Sequence, residues 1–232
     1  MTHLPSTLHL TNGGTSVFIR TSDKALPQVL YWGATLPALS SESAADFSDS
    51  QYSAVVSGMA DTPPLFSLIP QQSDGWLGTP GLVGSRNGLS QFSSFVTHTI
   101  DQTPSSMIAY AHDDEANIDL SIELEITDEG LLRTRAILTN AGEDGYNLDS
   151  LLLALPTPAT ETYVIDQSGH HLRERDTDIH EFTIGSHQRE IRVARAHTVS
   201  SIHGTCQKAT SWQRGLVHYI HVAWSGNTRT IA

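Results

Sequence analysis

The stretch that most constrains the fold is IDLSIELEITDEGLLRTRAILT, residues 118 to 139. Ile118, Leu120, Ile122, Leu124 and Ile126 alternate with Asp119, Ser121, Glu123, Glu125 and Thr127, the period-two pattern of a strand with one buried and one wet face. Asp128-Glu129-Gly130 then reads as a three-residue hairpin loop, with the glycine supplying the left-handed conformation at its last position. Pairing Thr127 with Leu131 sets Ile126 opposite Leu132, Glu125 opposite Arg133, Leu124 opposite Thr134 and Glu123 opposite Arg135. Two cross-strand ion pairs then decorate the wet face while apolar residues meet on the other. A slip by one residue would oppose Glu125 to Leu132 and lose this match, so the register is specified from within.

Upstream, MIAYAH (107 to 112) leads through DDEAN into the same hairpin and predicts a three-stranded meander. The cluster Asp113-Asp114-Glu115 is expected as a solvated turn, because adjacent carboxylates in a turn are not held rigidly enough for acid/base work or metal binding. Further strands are expected at TLHL and SVFIR, joined through Asn12-Gly13-Gly14, and at QVLYW, FVTHTI, TYVID and LVHYIHVAW. Residues 37 to 86, rich in Ser, Asp, Gly and Pro, read as long ordered loops with few strands, the kind that carry function or lie at an interface. LLLALPTPAT (151 to 160) reads as a short apolar strand halted by Pro156 and Pro158. No segment of a dozen residues carries a helical period, and no linker or fixed repeat interrupts the chain. One all-β domain over residues 1–232 is therefore expected.

A chain of 232 residues can bury a sizeable core without a disulfide, and its single cysteine, Cys206, cannot form one internally. A free buried thiol in a reducing cytoplasm is the expectation. No secretory leader opens the sequence, and no run approaches the roughly 20 apolar residues that span a bilayer. The formal net charge of −12, with no basic stripe to offset it, argues against a nucleic-acid partner.

Twelve histidines raise the question of a metal. His218 and His221 fall on opposite faces of a strand, His170 and His171 diverge, and His180-Glu181 lacks the second histidine of a zinc-protease helix, where Ile184 stands instead. No metal site and no cofactor are expected. No nucleophile elbow, phosphate-binding loop or dinucleotide fingerprint is present either. The glycine-rich stretch Gly75 to Gly84 includes Trp76 and has no lysine nearby, which suits a sugar or protein contact, or a purely structural tight loop, better than a phosphate. In HLRERD (171 to 176), strand alternation would put Arg173 and Arg175 on one face and Glu174 and Asp176 on the other, as an interface ion-pair network or a solvated edge.

Five segments occur in a telling order: VLYWGATLP (29 to 37), GWLGTPGLVGSRNG (75 to 88), YNLDSLLLALPTPATE (146 to 161), GHHLRER (169 to 175) and HYIHVAWSGN (218 to 227). Together they resemble the N-terminal domain of glycoside hydrolase family 36 α-galactosidases, especially the actinobacterial type, over nearly the whole chain. The resemblance implies a β-supersandwich of two large, mostly antiparallel sheets, galactose-mutarotase-like in shape and incomplete at its C-terminus. It also implies a parent enzyme whose (β/α)8 barrel, absent here, hydrolyses terminal α-galactosides with retention and assembles as a homo-oligomer. The family's K-x-D nucleophile motif has no counterpart, since Lys24 precedes Ala25-Leu26 and Lys208 precedes Ala209-Thr210. No catalytic residue is carried over, and this chain alone is expected to be inactive.

Asp74, Trp76 and Arg86 are the candidate contacts to substrate or to a neighbouring subunit, because aromatic and arginine side chains suit both. Near VARAHT (193 to 198) the sequence departs from the family pattern: Arg195 remains, but Ala194 and Ala196 flank it. A free-standing carbohydrate-binding module, or a β-sandwich serving only protein association, is the alternative. The final stretch, VHYIHVAWSGNTRTIA, reads as a hairpin whose second strand is cut short, predicting an exposed or frayed edge after Asn227 and an Ile231 without its usual neighbours.

Overall fold

Short alternating runs separated by glycine, proline and serine turns give strands through most of the computed structural model, which describes residues 4–52, 57–58, 63–193 and 202–232. Among the described residues every strand pairing is antiparallel. The chain divides into two compact units, Met1–Pro156 and Thr157–Ala232. Their boundary falls where Pro156 and Pro158 withhold the N–H groups that a ladder would need.

In the first unit the described elements are β1 (Thr7–Asn12), β2 (Thr15–Arg20), β3 (Gln28–Ala34), α1 (Ser41–Ser50), β4 (Leu82–Arg86), β5 (Val96–Gln102), β6 (Ser106–Asp113), β7 (Ile118–Ile126), β8 (Leu132–Asn140) and β9 (Tyr146–Leu151). They build three sheets, ordered β1-β2-β3, β4-β9 and β5-β6-β7-β8. The β7–β8 register is the expected one, with Glu123 opposite Arg135, Glu125 opposite Arg133 and Ile126 opposite Leu132. Thr127 N–H donates to Leu131 O at 3.0 Å across the loop, and Gly130 has φ +83°. Arg135 grips the Glu123 carboxylate with Nε at 2.8 Å and Nη2 at 2.7 Å. On the other face Ile118, Leu120, Ile122, Leu124 and Ile126 are all buried, in one core with Leu8, Leu10, Val17, Ile19, Leu68, Ile69 and Phe95.

Two glycine turns hold the first sheet to the meander. Asn12 Nδ2 donates to Ile126 O at 3.2 Å and to Asp128 Oδ1 at 3.1 Å, and Thr15 Oγ1 donates to Gly130 O at 2.7 Å. A Cβ on Gly13 would stand 2.3 Å from Gly130 N, and one on Gly130 would stand 2.4 Å from Gly13 O. Both residues also have positive φ, so glycine is required twice over at each.

Residues 37 to 86 hold more than loops. SESAADFSDS forms α1, which lacks a regular apolar face and is fixed instead by its ends and neighbours. The Ser40 hydroxyl accepts from Ser43 N–H at 3.1 Å as the N-cap. Phe47 meets Phe18 edge-on with ring centroids 5.1 Å apart. Buried Arg20 donates to Ser48 Oγ at 2.8 Å and to Ser48 O, and its guanidinium lies 3.6 Å from the Tyr52 ring centroid.

Two other expectations are corrected in this unit. Asp113 is not a solvated turn residue but fully buried, accepting from Ser94 N–H at 2.7 Å, Glu115 N–H at 3.0 Å and Ala116 N–H at 2.9 Å; only Asp114 and Glu115 face water. The strand expected at LLLALPTPAT lies earlier, as β9, and extended backbone follows it, with Leu152 N–H bonded to Gly81 O and Ala154 N–H to Leu68 O.

The second unit contains β10 (Tyr163–His170), β11 (Arg173–Glu181), β12 (Gln188–Ile191), β13 (Ile202–Cys206), β14 (Val217–His221) and β15 (Thr228–Ile231). One sheet runs β11-β10-β13-β14 and a second pairs β12 with β15. The hairpin expected over the final stretch does not form, because β14 pairs with β13 and β15 with β12; among the described residues β15 is an edge, partnered on one side only, but it is not frayed. Thr228 to Ile231 pair residue by residue with Ile191 to Gln188, Thr230 is buried, and His187 and Ala232 exchange backbone hydrogen bonds of 2.8 and 2.9 Å. β14 stops at His221, short of the alternation that runs on to Trp224, which stands exposed. On the edge strand β11, Arg173, Glu174 and Arg175 face solvent, and Arg173 pairs with Asp176. Positive φ at Leu172 and Arg175 breaks the simple alternation there. Arg195 and its flanking alanines lie outside the described residues.

Candidate functional site

The residues between Pro63 and Leu89 are organised by one buried side chain. Gln71 accepts from Phe95 N–H at 2.7 Å and donates to Phe95 O at 3.2 Å and Asp74 Oδ2 at 3.1 Å. A short 3-10 turn, Gln72–Asp74, follows and is closed by Gly75 at φ +81°. Burial pushes the Asp74 carboxyl above its ordinary range, and the Gln71 hydrogen bond pulls partly the other way. Trp76 stacks obliquely on Phe66 with centroids 4.9 Å apart, and its indole N–H donates to Thr79 O at 3.0 Å. Leu77 next to it stands almost fully exposed. Asp74 and Trp76 thus share one ordered loop with an apolar tip.

Arg86, on β4, is occupied differently. Its guanidinium donates to Ala116 O at 2.9 and 2.7 Å, to Asn140 Oδ1 at 2.7 Å, to Asn117 O at 3.2 Å and to Asp144 O. It also lies 5.8 Å from the Tyr146 ring centroid. The side chain clamps the β6–β7 turn to the β8–β9 turn, and nothing brings it to Asp74 or Trp76.

The second unit holds two clusters that the sequence reading missed. In the first, buried Glu161 accepts from the Thr205 hydroxyl and meets His218 Nδ1 at 2.6 Å. Beside it Cys206 is the free, buried thiol expected, its pKa pushed up by burial. In the second, Asp166 on β10, His187 just before β12 and His203 on β13 each turn one ligand-capable atom inward, and those atoms lie within 4.8 Å of one another. Asp166 is fully buried; its Oδ2 lies 2.9 Å from His187 Nε2 and also accepts from Arg189 Nε, while Oδ1 accepts from Gln167 N–H at 2.7 Å. Burial alone would raise the Asp166 pKa, but Arg189, His187 and the Gln167 amide together hold it below the ordinary value. Burial lowers the His203 pKa, with Asp166 acting in the opposite sense.

Between β11 and His187 a cavity of about 540 Å³ opens against this cluster, lined in part by His180, Glu181, Phe182, Thr183, Ser186 and His187. The rings of His180 and His187 stack at 5.5 Å, and those of His187 and His203 lie 5.4 Å apart. The expectation of no metal site came from comparing histidines close in sequence. The residues that converge come from three separate segments, and only the strand order β11-β10-β13 and the β12–β15 pair bring them together.

Comparison with known proteins adds to this geometry. The family model described as "Glycosyl hydrolase family 36 N-terminal domain" matches residues 25–232. An alpha-galactosidase from Escherichia coli is 29% identical over 206 residues, which are 87% of this chain and 28% of that protein. Among solved structures, the GH36 alpha-galactosidase AgaB from Geobacillus stearothermophilus superposes with a TM-score of 0.80 at 16% identity, covering 99% of this chain and 35% of that one. The alpha-galactosidase from Lactobacillus brevis gives 0.79 at 16% identity over 97% of this chain and 34% of its own. A variant of AgaA from Geobacillus stearothermophilus, solved in complex with stachyose, gives 0.79 at 15% identity over 97% and 35%. The chain thus spans about a third of the length of these relatives.

Proposed function

The chain belongs to the family of glycosyl hydrolase family 36 N-terminal domains, and on that premise we propose that it is the non-catalytic N-terminal domain of a retaining α-galactosidase. The two units together form that domain, and a barrel outside this chain carries the hydrolysis of terminal α-galactosides. The observation that carries the reading is the match over residues 25–232, joined to a fold likeness that covers nearly all of this chain but only about a third of each neighbour.

The carboxylates support it as well. Retaining glycosidases place two carboxyl groups about 5–5.5 Å apart, facing a sugar. Among the described residues the buried carboxylates are Asp113, Glu161 and Asp166, and each is committed to donors of its own chain. A nitrophenyl α-galactoside should therefore show no saturable hydrolysis with this chain alone, and measurable turnover would overturn the proposal.

The domain's work in the parent is structural, as a platform for homo-oligomer assembly, with the Asp74–Trp76 loop at the rim of a substrate site or against a neighbouring subunit. The exposed Leu77 beside a fixed indole favours that placement. In a chain that includes the barrel, Trp76→Ala should raise KM for raffinose or weaken assembly in sedimentation; no change in either would remove the loop from this role. A cytoplasmic location is in keeping with the lone buried thiol, and no helix among the described residues is long and apolar enough to cross a membrane.

A second reading, a sugar-binding module, draws on the exposed indoles of Trp212 and Trp224. Calorimetric titration with galactose or raffinose decides it. Binding lost in Trp212→Ala would favour the module, and absence of heat would discard it.

A further inference from the structure

The imidazole of His203 is only 3% exposed, and its Nε2 has no hydrogen-bond partner. A buried polar nitrogen left without a partner calls for an explanation, since such atoms are rare in native interiors. Its other nitrogen, Nδ1, lies 3.5 Å from the Thr230 hydroxyl. A proton on Nδ1, offered to Thr230, leaves a lone pair on Nε2 in the interior of the unit. Two further ligand types share that interior: a buried carboxylate, Asp166, and the half-buried imidazole of His187.

We propose that Asp166, His187 and His203 form a binding site for a divalent transition-metal cation of the zinc class. Two imidazoles and one carboxylate are a donor set that zinc, cobalt(II) and nickel(II) accept and that calcium and magnesium do not favour. Zinc bonds of about 2.0–2.1 Å place tetrahedral ligand atoms about 3.3 Å from one another. The three atoms here lie within 4.8 Å, so the widest gap must close by at most about 1.5 Å.

The rearrangement is local. His187 exchanges its Nε2 hydrogen bond to Asp166 for the tautomer protonated on Nδ1, and Asp166 Oδ2 turns from His187 to the cation. Arg189, which donates to the same oxygen, is the competing cation; its side chain is about one-third exposed and has water to move into. Three protein ligands leave a fourth position for water or a small ligand, and the cavity that His187 lines together with His180 adjoins the cluster.

The test uses the whole 232-residue chain, stripped with a chelator, and titrates it calorimetrically with zinc alone, with magnesium as the control. One equivalent of zinc should bind. Because loss of groups that merely orient metal ligands already costs 10–100-fold in affinity, His187→Ala and His203→Gln should each weaken binding by at least about tenfold. His171→Ala, on the exposed turn, should leave it unchanged. Arg189→Met should bind more tightly, because the carboxylate loses its resident cation.

Cobalt(II) added to the unmutated chain gives a reading that depends on no variant folding. Visible d–d bands of a nitrogen- and oxygen-ligated tetrahedral ion should appear and be bleached by one equivalent of zinc. Absence of both zinc heat and cobalt bands overturns the proposal. So does zinc binding that survives in a folded His187→Ala or His203→Gln chain, which would locate it among exposed histidines.

Discussion

In the first unit, antiparallel strands close over branched aliphatics, with nineteen of the described residues, from Leu8 to Ile126, buried in one continuous core. In the second, strands of the same kind close over Glu161, Asp166, His203, Thr205 and His218, and among its described residues the buried apolar ones are Val164, Ile165, Ile191 and Cys206. The pairing geometry is shared, but what holds the faces together differs. A dry core gains from area removed from water and is insensitive to the exact partner of each side chain. A polar interior gains only when each donor and acceptor is matched, and loses heavily when one partner is removed.

The largest effect should come from the dry side. Ile122→Ala, at the centre of β7, should lower unfolding free energy by about 3–4 kcal/mol in denaturant melts. A loss under about 1 kcal/mol would break the claim that the aliphatic face dominates the first unit. On the wet side, Glu161→Ala removes the acceptor of the Thr205 hydroxyl and the carboxylate 2.6 Å from His218 Nδ1, and should cost about 2–3 kcal/mol. Glu161→Gln, which keeps an acceptor, should recover part of it. Equal losses in the two variants would show that shape and not hydrogen bonding is at work.

A smaller effect separates the two ways of burying a carboxyl. Asp74 has a raised folded-state pKa, so its neutral form is the one that the fold favours. Its contribution is fully present below the unfolded value and is lost as pH rises through the folded one. Asp74→Asn should therefore stabilise the chain slightly at neutral pH and change nothing below about pH 4, as thermal melts across that range would register. A stabilisation that persists in acid would contradict the assignment. The smallest effect belongs to the surface: Arg135→Ala removes the fork to Glu123, and the small fall in melting temperature should shrink further at high salt.

The same contrast explains what could be read from the sequence. Alternation in IDLSIELEI and the compatible pairs across Asp128-Glu129-Gly130 carry the β7–β8 register in full, because a dry face repeats every second residue. Helix α1 has no such signal, since six of the ten residues of SESAADFSDS are serine or aspartate; Arg20, Phe18 and the Ser40 cap hold it from outside. Asp113 looked like one more surface acid because nothing in DDE separates the buried carboxylate from its two exposed neighbours. Of the candidate contacts, Asp74 and Trp76 share one loop because they are near neighbours in sequence, while the clamp made by Arg86 depends on turns that lie 30 or more residues further along the chain. The Asp166, His187 and His203 cluster has no spacing rule at all, because three segments and a sheet order create it.

The paired turns at Gly13 and Gly130 bear on how this protein could be rebuilt. Hairpin tips are usually the permissive places for an inserted epitope, a fluorescent tag or a new pair of termini. Here each tip is the other's wall, with no room for even one carbon between them. A library of insertions across the first unit should show two gaps at these loops, matched in position and similar in depth, where a map based on exposure alone would have placed its best sites.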